Sequence, residues 1–208
     1  MKIQIEKIKE LIKQGQIGDA LKQLVADANE TAFETDSILL ISRYNKMVSD
    51  KIRDTLDSGD AQREYNKIVV STLDLLDSVY DDFFHNIVDY YQVKFYETPF
   101  EIITPFEQRV YAAEFSNEKT RCVGWELYMR YPNLKTVLDL TISWQITLPD
   151  GNETPKYSTT SQLQADWFDS WIRDAWGNKE FNTLSKGNYK IKFFMGEKMV
   201  KSSEYALI

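Results

Sequence analysis

The side chains able to do chemistry in this sequence are few. His85 is the single histidine, and Asp81 and Asp89 lie four residues to either side. On a helix that spacing brings all three together, an arrangement a metal can use. No softer ligand stands near, so a solvated helix end with ordinary ion pairs is the preferred reading. Cys122, the single cysteine, sits mid-strand with no activating neighbour in sequence and would need His85 beside it to act as a nucleophile. A buried, inert thiol is expected, and one cysteine rules out an internal disulfide. Asp166, Asp169 and Asp174 lack the Asp, Asn and Gly loop that calcium requires and read as a solvated helix face. The acidic run Asp50–Asp60 is likewise solvent-facing, able at most to steer a basic partner. The tryptophans divide. Trp125 and Trp144 lie in strands and belong to the core. Trp167, Trp171 and Trp176 either pack a short helix onto a sheet or form an exposed platform for a sugar or peptide. No glycine-rich phosphate loop, paired-cysteine motif or His-Glu-x-x-His occurs. No catalytic residue, metal ligand or cofactor site is therefore assigned.

What must position these groups is read from periodicity. Between Asp36 and Phe83 apolar residues recur in steps of three and four. The first series is Ile38, Ile41, Tyr44, Val48 and Ile52. The second is Tyr65, Ile68, Val69, Thr72, Leu75, Leu76, Val79 and Phe83. Each puts one face of a helix toward a core. A connection at Asp57-Ser58-Gly59-Asp60 makes the two helices antiparallel neighbours, with Asp60 as the acceptor for the second helix's free N–H groups. Two shorter helices precede them. Lys2–Gln14 has Ile5, Ile8, Leu11 and Ile12 inward and stops at Gly15. Ile17–Thr31 has Ile17, Ala20, Leu21, Leu24 and Ala28 inward. No second copy of Gly18-Asp19-Ala20-Leu21 follows about 34 residues on, which argues against a solenoid. The reading is an antiparallel four-helix bundle over residues 1–84.

Within the helical pair stand Ser42-Arg43-Tyr44-Asn45, an acidic turn, Arg63-Glu64-Tyr65-Asn66-Lys67 and Leu73-Asp74-Leu75-Leu76-Asp77. With Leu11-Ile12-Lys13-Gln14-Gly15-Gln16-Ile17 and Ala20-Leu21-Leu24, this resembles the bacterial effector-associated domains, specifically the eleventh type, over about residues 1–84. The resemblance implies a small helical adaptor module without catalytic residues. Such modules are found beside effectors in bacterial conflict and defence systems and join proteins by pairing with a like module. The partner implied is a protein with a similar helical domain, and a homodimer is one form of such pairing. Arg43 and Asn45 flank Tyr44 by about 100° on the helix. They and Asn66 are the candidate partner-binding residues, while Tyr44 and Tyr65 serve structure. The alternative, that Arg43 and Asn45 satisfy groups inside the bundle, stays open. With the turn centred near 58, Tyr44 and Tyr65 are expected on different layers.

Residues 85–98 read as a linker or helix extension, with Val93-Lys94-Phe95-Tyr96 better as strand. From Pro99 the pattern alternates with period two. Val110–Phe115, Cys122–Met129, Leu138–Ile146 and Tyr189–Phe193 read as strands, with hairpins at Asp150-Gly151 and Gly196-Glu197. Gln164–Gly177 is the exception, expected as a short aromatic-rich helix. Residues 99–208 thus read as an antiparallel β-sandwich, and the fold class as α+β. The closing hairpin weakly resembles immunoglobulin-like accessory domains. Net charge −7 with no basic stripe argues against nucleic acid. No apolar run is long enough for a membrane span, and Met1–Lys7 lacks the apolar core of a secretion signal, so a cytoplasmic location is expected. The functional expectation is a non-enzymatic adaptor whose β part recognises another component. The alternative is a ligand-binding protein whose β part binds carbohydrate or peptide and whose bundle dimerises. Chelation by EDTA is expected to leave the Tm unchanged; a marked fall would restore the Asp81, His85, Asp89 or Asp166, Asp169, Asp174 trios as metal sites.

Overall fold

A computed structural model describes residues 3–134, 136–181 and 183–208. Lys2, the expected start of the first helix, lies outside them. The chain divides into two compact units, Met1–Phe84 with Leu134–Thr136, and His85–Asn133 with Val137–Ile208. Among the described residues the first unit carries four α-helices and the second two β-sheets.

Helix α1 spans Ile5–Lys13 and buries Ile5 and Ile8. Gly15, at φ +77°, ends it: its N–H donates to the Ile12 carbonyl and that of Gln16 to Leu11. This left-handed close needs glycine because a side chain is strained there. Helix α2 spans Ile17–Ala28 and buries all five residues expected to point inward. Helix α3 runs Glu34–Ile52 and α4 Ser58–Asp82. The connection is therefore Arg53–Asp57, earlier than expected, and Ser58-Gly59-Asp60 form the first turn of α4. Asp57, not Asp60, caps that helix. Its Oδ1 accepts from the Gly59 and Asp60 N–H groups at 2.7 and 3.0 Å. Those bonds, the one from Asp60 foremost, hold its carboxyl below the usual carboxylate range. Asp60 instead pairs with Arg63.

The earlier turn changes the layers. Arg43 reaches Glu64 across the pair, so their neighbours Tyr44 and Tyr65 lie at nearly the same height. The expectation of different layers fails because it counted from a turn centre several residues too late. The inward face of α3 is also rotated from the expected one. Ser37, Leu40 and Met47 are buried, whereas Ile38 is 45% and Ile52 80% exposed. Tyr44 packs half-buried against Gly18 of α2, where an added Cβ would lie 3.1 Å from the tyrosine ring. A turn of π-helix, Phe83–Ile87, continues α4.

In the second unit one sheet has the order β1-β3-β6, with β1 Asp89–Thr98, β3 Cys122–Arg130 and β6 Asp169–Gly177, all antiparallel. Residues 85–98, read as linker or helix extension, thus divide between the π-turn and a full strand. The other sheet has β2 Glu114–Phe115, β8 Lys198–Leu207, β7 Gly187–Met195, β4 Leu138–Thr147 and β5 Tyr157–Leu163, in that order. Its β2 runs parallel to β8, so the all-antiparallel expectation is corrected at that edge. Strand β4 buries Leu138, Leu140, Ile142, Trp144 and Ile146 and turns the alternate residues outward. Side chains of the two sheets meet at Trp125, whose ring lies 5.6 Å from Trp144 and 4.8 Å from Phe193, and at Phe95 against Tyr205. Burying each such ring contributes roughly 3 kcal/mol.

The expected aromatic helix over Gln164–Gly177 is strand β6 preceded by a loop. Asp166 has φ +63°, which a continuing helix does not accept. Ser170 and Ile172 are buried while Asp169, Trp171 and Arg173 are exposed, a period of two. Trp167 and Trp171 are four apart, a spacing that suits one helix face and one strand face equally.

The opposite face of the three-stranded sheet carries a carboxylate, Glu126, in the middle of β3. The segment 99–113 covers it and supplies Arg109, whose Nη1 donates to Glu126 Oε1; both side chains are buried. Tyr111 and Tyr128 donate to Oε2 at 2.9 and 2.5 Å. Burial, and then Tyr111, push the Tyr128 phenol up, so it stays a neutral donor. Arg109 Nε donates to the Thr104 carbonyl at 2.7 Å, and the guanidinium lies over the Tyr96 ring. Removing one member strands a buried charge. Arg109→Ala is expected to cost about 3–5 kcal/mol in urea unfolding, and Arg109→Met with Glu126→Leu considerably less. A loss under about 1 kcal/mol for the single variant would deny the pair that role.

Candidate functional site

Two surfaces hold the residues singled out in sequence. On the helical unit Arg43 projects from α3 and its Nε and Nη2 donate to Glu64 Oε1 on α4 at 3.2 and 2.8 Å. The pair is 45% and 32% exposed, so it clamps the two helices weakly while leaving the guanidinium accessible. It stands between two hollows. One, about 490 Å³, is lined by Leu39, Leu40 and Leu75 with Asp36 and Asp74 at its rim. The other, about 560 Å³, has Met47 and Leu56 below a ring of Lys46, Asp50, Arg63 and Lys67. Arg43 borders both.

Asn45 and Asn66 are exposed, and Asn66 accepts from Gln62 at 3.0 Å. Asn45 lies about 200° around α3 from Arg43, so the two do not share one edge. The structure brings Arg43 to Glu64, a residue the sequence reading left unassigned, and does not gather Arg43, Asn45 and Asn66. Leu39, 57% exposed, was also missed. A signal existed: Ile38-Leu39-Leu40-Ile41 are four consecutive apolar residues, which span more of a helix circumference than one buried face occupies.

In the β unit Trp167 and Trp171, 49% and 39% exposed, line a cavity of about 390 Å³ between the edges of β5 and β6. Trp176 lines a second cavity, about 660 Å³, with Trp144 and Tyr157. Trp171 and Trp176 are an odd number of residues apart and point to opposite faces of β6, so the three tryptophans do not form one platform. A polar clasp separates the cavities: Asp174 Oδ2 accepts from Trp144 Nε1 at 3.2 Å and from Thr159 Oγ1. Ile103 borders both.

The remaining chemical candidates occupy structural positions. Cys122 is buried, its thiol faces the Asn178 carbonyl at 3.7 Å, and burial pushes its pKa up, which disfavours the reactive thiolate. His85 Nε2 donates to the Met195 carbonyl at 3.1 Å. Among the described residues no three His, Cys, Asp or Glu side chains are gathered as a metal site, and no helix is long and apolar enough to cross a membrane.

Residues 3–80 match the family model of effector-associated domain 11. An effector-associated domain points to a regulatory or adaptor role, and the family is non-catalytic in general. No curated protein matches the chain. Among solved structures, a glucanotransferase from Paenibacillus sp. is 12% identical, with a TM-score of 0.37 over 57% of this chain and 13% of that one. An immunoglobulin-like protein from Pseudomonas aeruginosa is 12% identical, with a TM-score of 0.34 over 60% of this chain and 98% of that one. An alkylpurine DNA glycosylase from Pseudomonas fluorescens is 12% identical, with a TM-score of 0.37 over 96% of this chain and 54% of that one. Scores this low carry no functional argument.

Proposed function

We propose that, with an effector-associated domain at residues 3–80 as the starting point, the chain is a non-enzymatic adaptor of a bacterial defence or signalling system. Its four helices form an antiparallel bundle that pairs with a like bundle on an effector or on a second copy. Its two sheets form a β-sandwich that recognises another component. The family match carries this reading. The α3–α4 face supports it locally, because the Arg43–Glu64 pair between two apolar-floored hollows offers a charged anchor beside contact area. A carboxylate of the partner would share Arg43 with Glu64, because the guanidinium is 45% exposed and has N–H donors beyond the two that Glu64 accepts. Asn45 and Asn66 are the secondary contacts. Acidic composition sets the chain against nucleic acid, and a cytoplasmic location follows from the kind of partner proposed.

The experiment is capture from the native host with the full chain and with Arg43→Ala. Recovery of a protein carrying a similar helical domain joined to a protease, nuclease or ATPase supports the adaptor. Recovery of glycans alone supports ligand binding instead. Arg43→Ala is expected to weaken capture while shifting unfolding by no more than about 1 kcal/mol, since an exposed pair contributes little. Tyr44→Ala, which removes the ring packed on Gly18 and against the helical core, is expected to lower stability by about 2 kcal/mol or more and to spare capture. A stability loss in Arg43→Ala with unchanged capture would overturn the assignment.

The two parts are proposed to fold separately, with the division near residue 84. A fragment 85–208 is expected to unfold cooperatively on its own. A fragment 99–208 lacks β1, whose register with β3 runs from Asp89 to Thr98, and is expected to fail. Circular dichroism during heating distinguishes them, and equal behaviour of the two fragments counts against this boundary.

A further inference from the structure

The four free edges of the two sheets are not treated alike. The outer edge of β1 is covered, since Tyr96 bridges Tyr111 and the Ala112 N–H donates to the Phe95 carbonyl at 3.0 Å. Strand β2 is two residues long. Strand β6 carries Asp169, Arg173 and Asp174. These are the usual devices that keep a strand edge from receiving another strand: cover, shortness and charge. Strand β5 has none of them. It is Tyr157-Ser158-Thr159-Thr160-Ser161-Gln162-Leu163, with no proline and no charged residue. Its register with β4 is regular from end to end, without a bulge. Among the described residues it pairs with β4 alone.

The bare edge opens into the cavity that holds Trp167 and Trp171. Thr159–Gln162 form one wall, Ser170–Arg173 of β6 the other, and Ile103 and the two tryptophans supply apolar surface. Arg173 is the single charged residue among those lining it. The Thr159–Asp174 bond closes one end, so the groove is open along Thr160–Gln162.

We propose that this groove binds a short extended peptide of a partner protein, added as a strand along the free edge of β5. Its main chain exchanges hydrogen bonds with Thr160–Gln162, about three residues or roughly 10 Å of strand. Alternate side chains lie on Trp167, Trp171 and Ile103, and a carboxylate meets Arg173. The edge decides for peptide over sugar. Unpaired N–H and C=O groups at strand spacing are matched by another backbone, whereas a saccharide would use the indole faces and leave the edge unmatched. This names the kind of component the β unit recognises, and it stands on the groove rather than on the helical pairing.

The test is selection of the full chain against a displayed library of short random peptides, with an oligosaccharide array in parallel. Enriched peptides are expected to alternate apolar and polar residues and to carry Asp or Glu. Arg173→Glu and Trp167→Ala, each checked for an unchanged thermal transition, are expected to weaken the selected peptide about tenfold or more, as the loss of one charged hydrogen bond or one ring contact does. Arg43→Ala is expected to leave it unchanged, which separates failure here from failure of the helical adaptor. The deciding measurement needs no variant of the protein. Methylating alternate amide nitrogens of the peptide should abolish binding in one register and spare it in the other, because only every second N–H faces the edge strand. Tolerance of both registers, enrichment of no peptide, indifference to both groove variants, or binding of saccharide in place of peptide would each overturn the proposal.

Discussion

A carboxylate in the middle of a buried strand dictates much of the second unit. Glu126 stands where a strand normally presents an apolar or neutral side chain, and its charge cannot be left without a counter-ion. Arg109 supplies one, and to reach it the segment 99–113 must lie across the sheet. Thr104 and Thr98 then hold that segment by 2.9 and 3.0 Å bonds, and Phe106 comes to rest 6.2 Å from the Trp171 ring. Ile103, carried on the same segment, borders both cavities between β5 and β6. The shape of the groove is thus a distant result of one ion pair, and the apolar side chains lining it did not by themselves determine where the covering segment runs.

The helical unit obeys a different constraint. Its helices are set by a common core of Ile8, Leu21, Leu24, Ile68 and Leu76, all fully buried. Within that frame the length of the α3–α4 connection decides which residues meet. Ending α3 at Ile52 and capping α4 with Asp57 brings residue 43 level with 64. A turn a few residues later would have separated Arg43 from Glu64 and left the Tyr44 and Tyr65 rings on different layers.

Residue periodicity made the helices legible almost to their ends, because α1, α2 and α4 each present one apolar stripe. It failed on α3, where too many apolar residues for a single face left the choice among them to packing. It failed on β6 for the reason that a spacing of four belongs to both periods, and only the left-handed Asp166 and the alternation of Ser170 to Arg173 break the tie. The cap was misassigned because Asp57 and Asp60 are chemically equivalent candidates one turn apart. The pairing of Arg109 with Glu126 crosses from a covering segment to a central strand, and nothing local in either stretch announces it. The groove was illegible for a related reason: it is made by two edges, and which strands are edges is a property of topology. Trp125, by contrast, could be placed in the core from its neighbours alone, and Cys122 is buried as expected although it opens β3 instead of lying mid-strand.

An edge that is ready for a foreign strand is equally ready for its own copy. The uncharged backbone edge of β5 does not by itself distinguish a partner's strand from a second molecule's β5; only the groove's apolar wall and Arg173 do. What restrains such self-pairing is the long-range repulsion between chains of net charge −7, and that repulsion fades within about 8 Å at physiological ionic strength. If β5 receives a strand as proposed, the colloidal behaviour of the protein is tied to salt through a strand that carries no charge at all, dilute electrolyte favouring dispersed chains and concentrated salt edge-to-edge association.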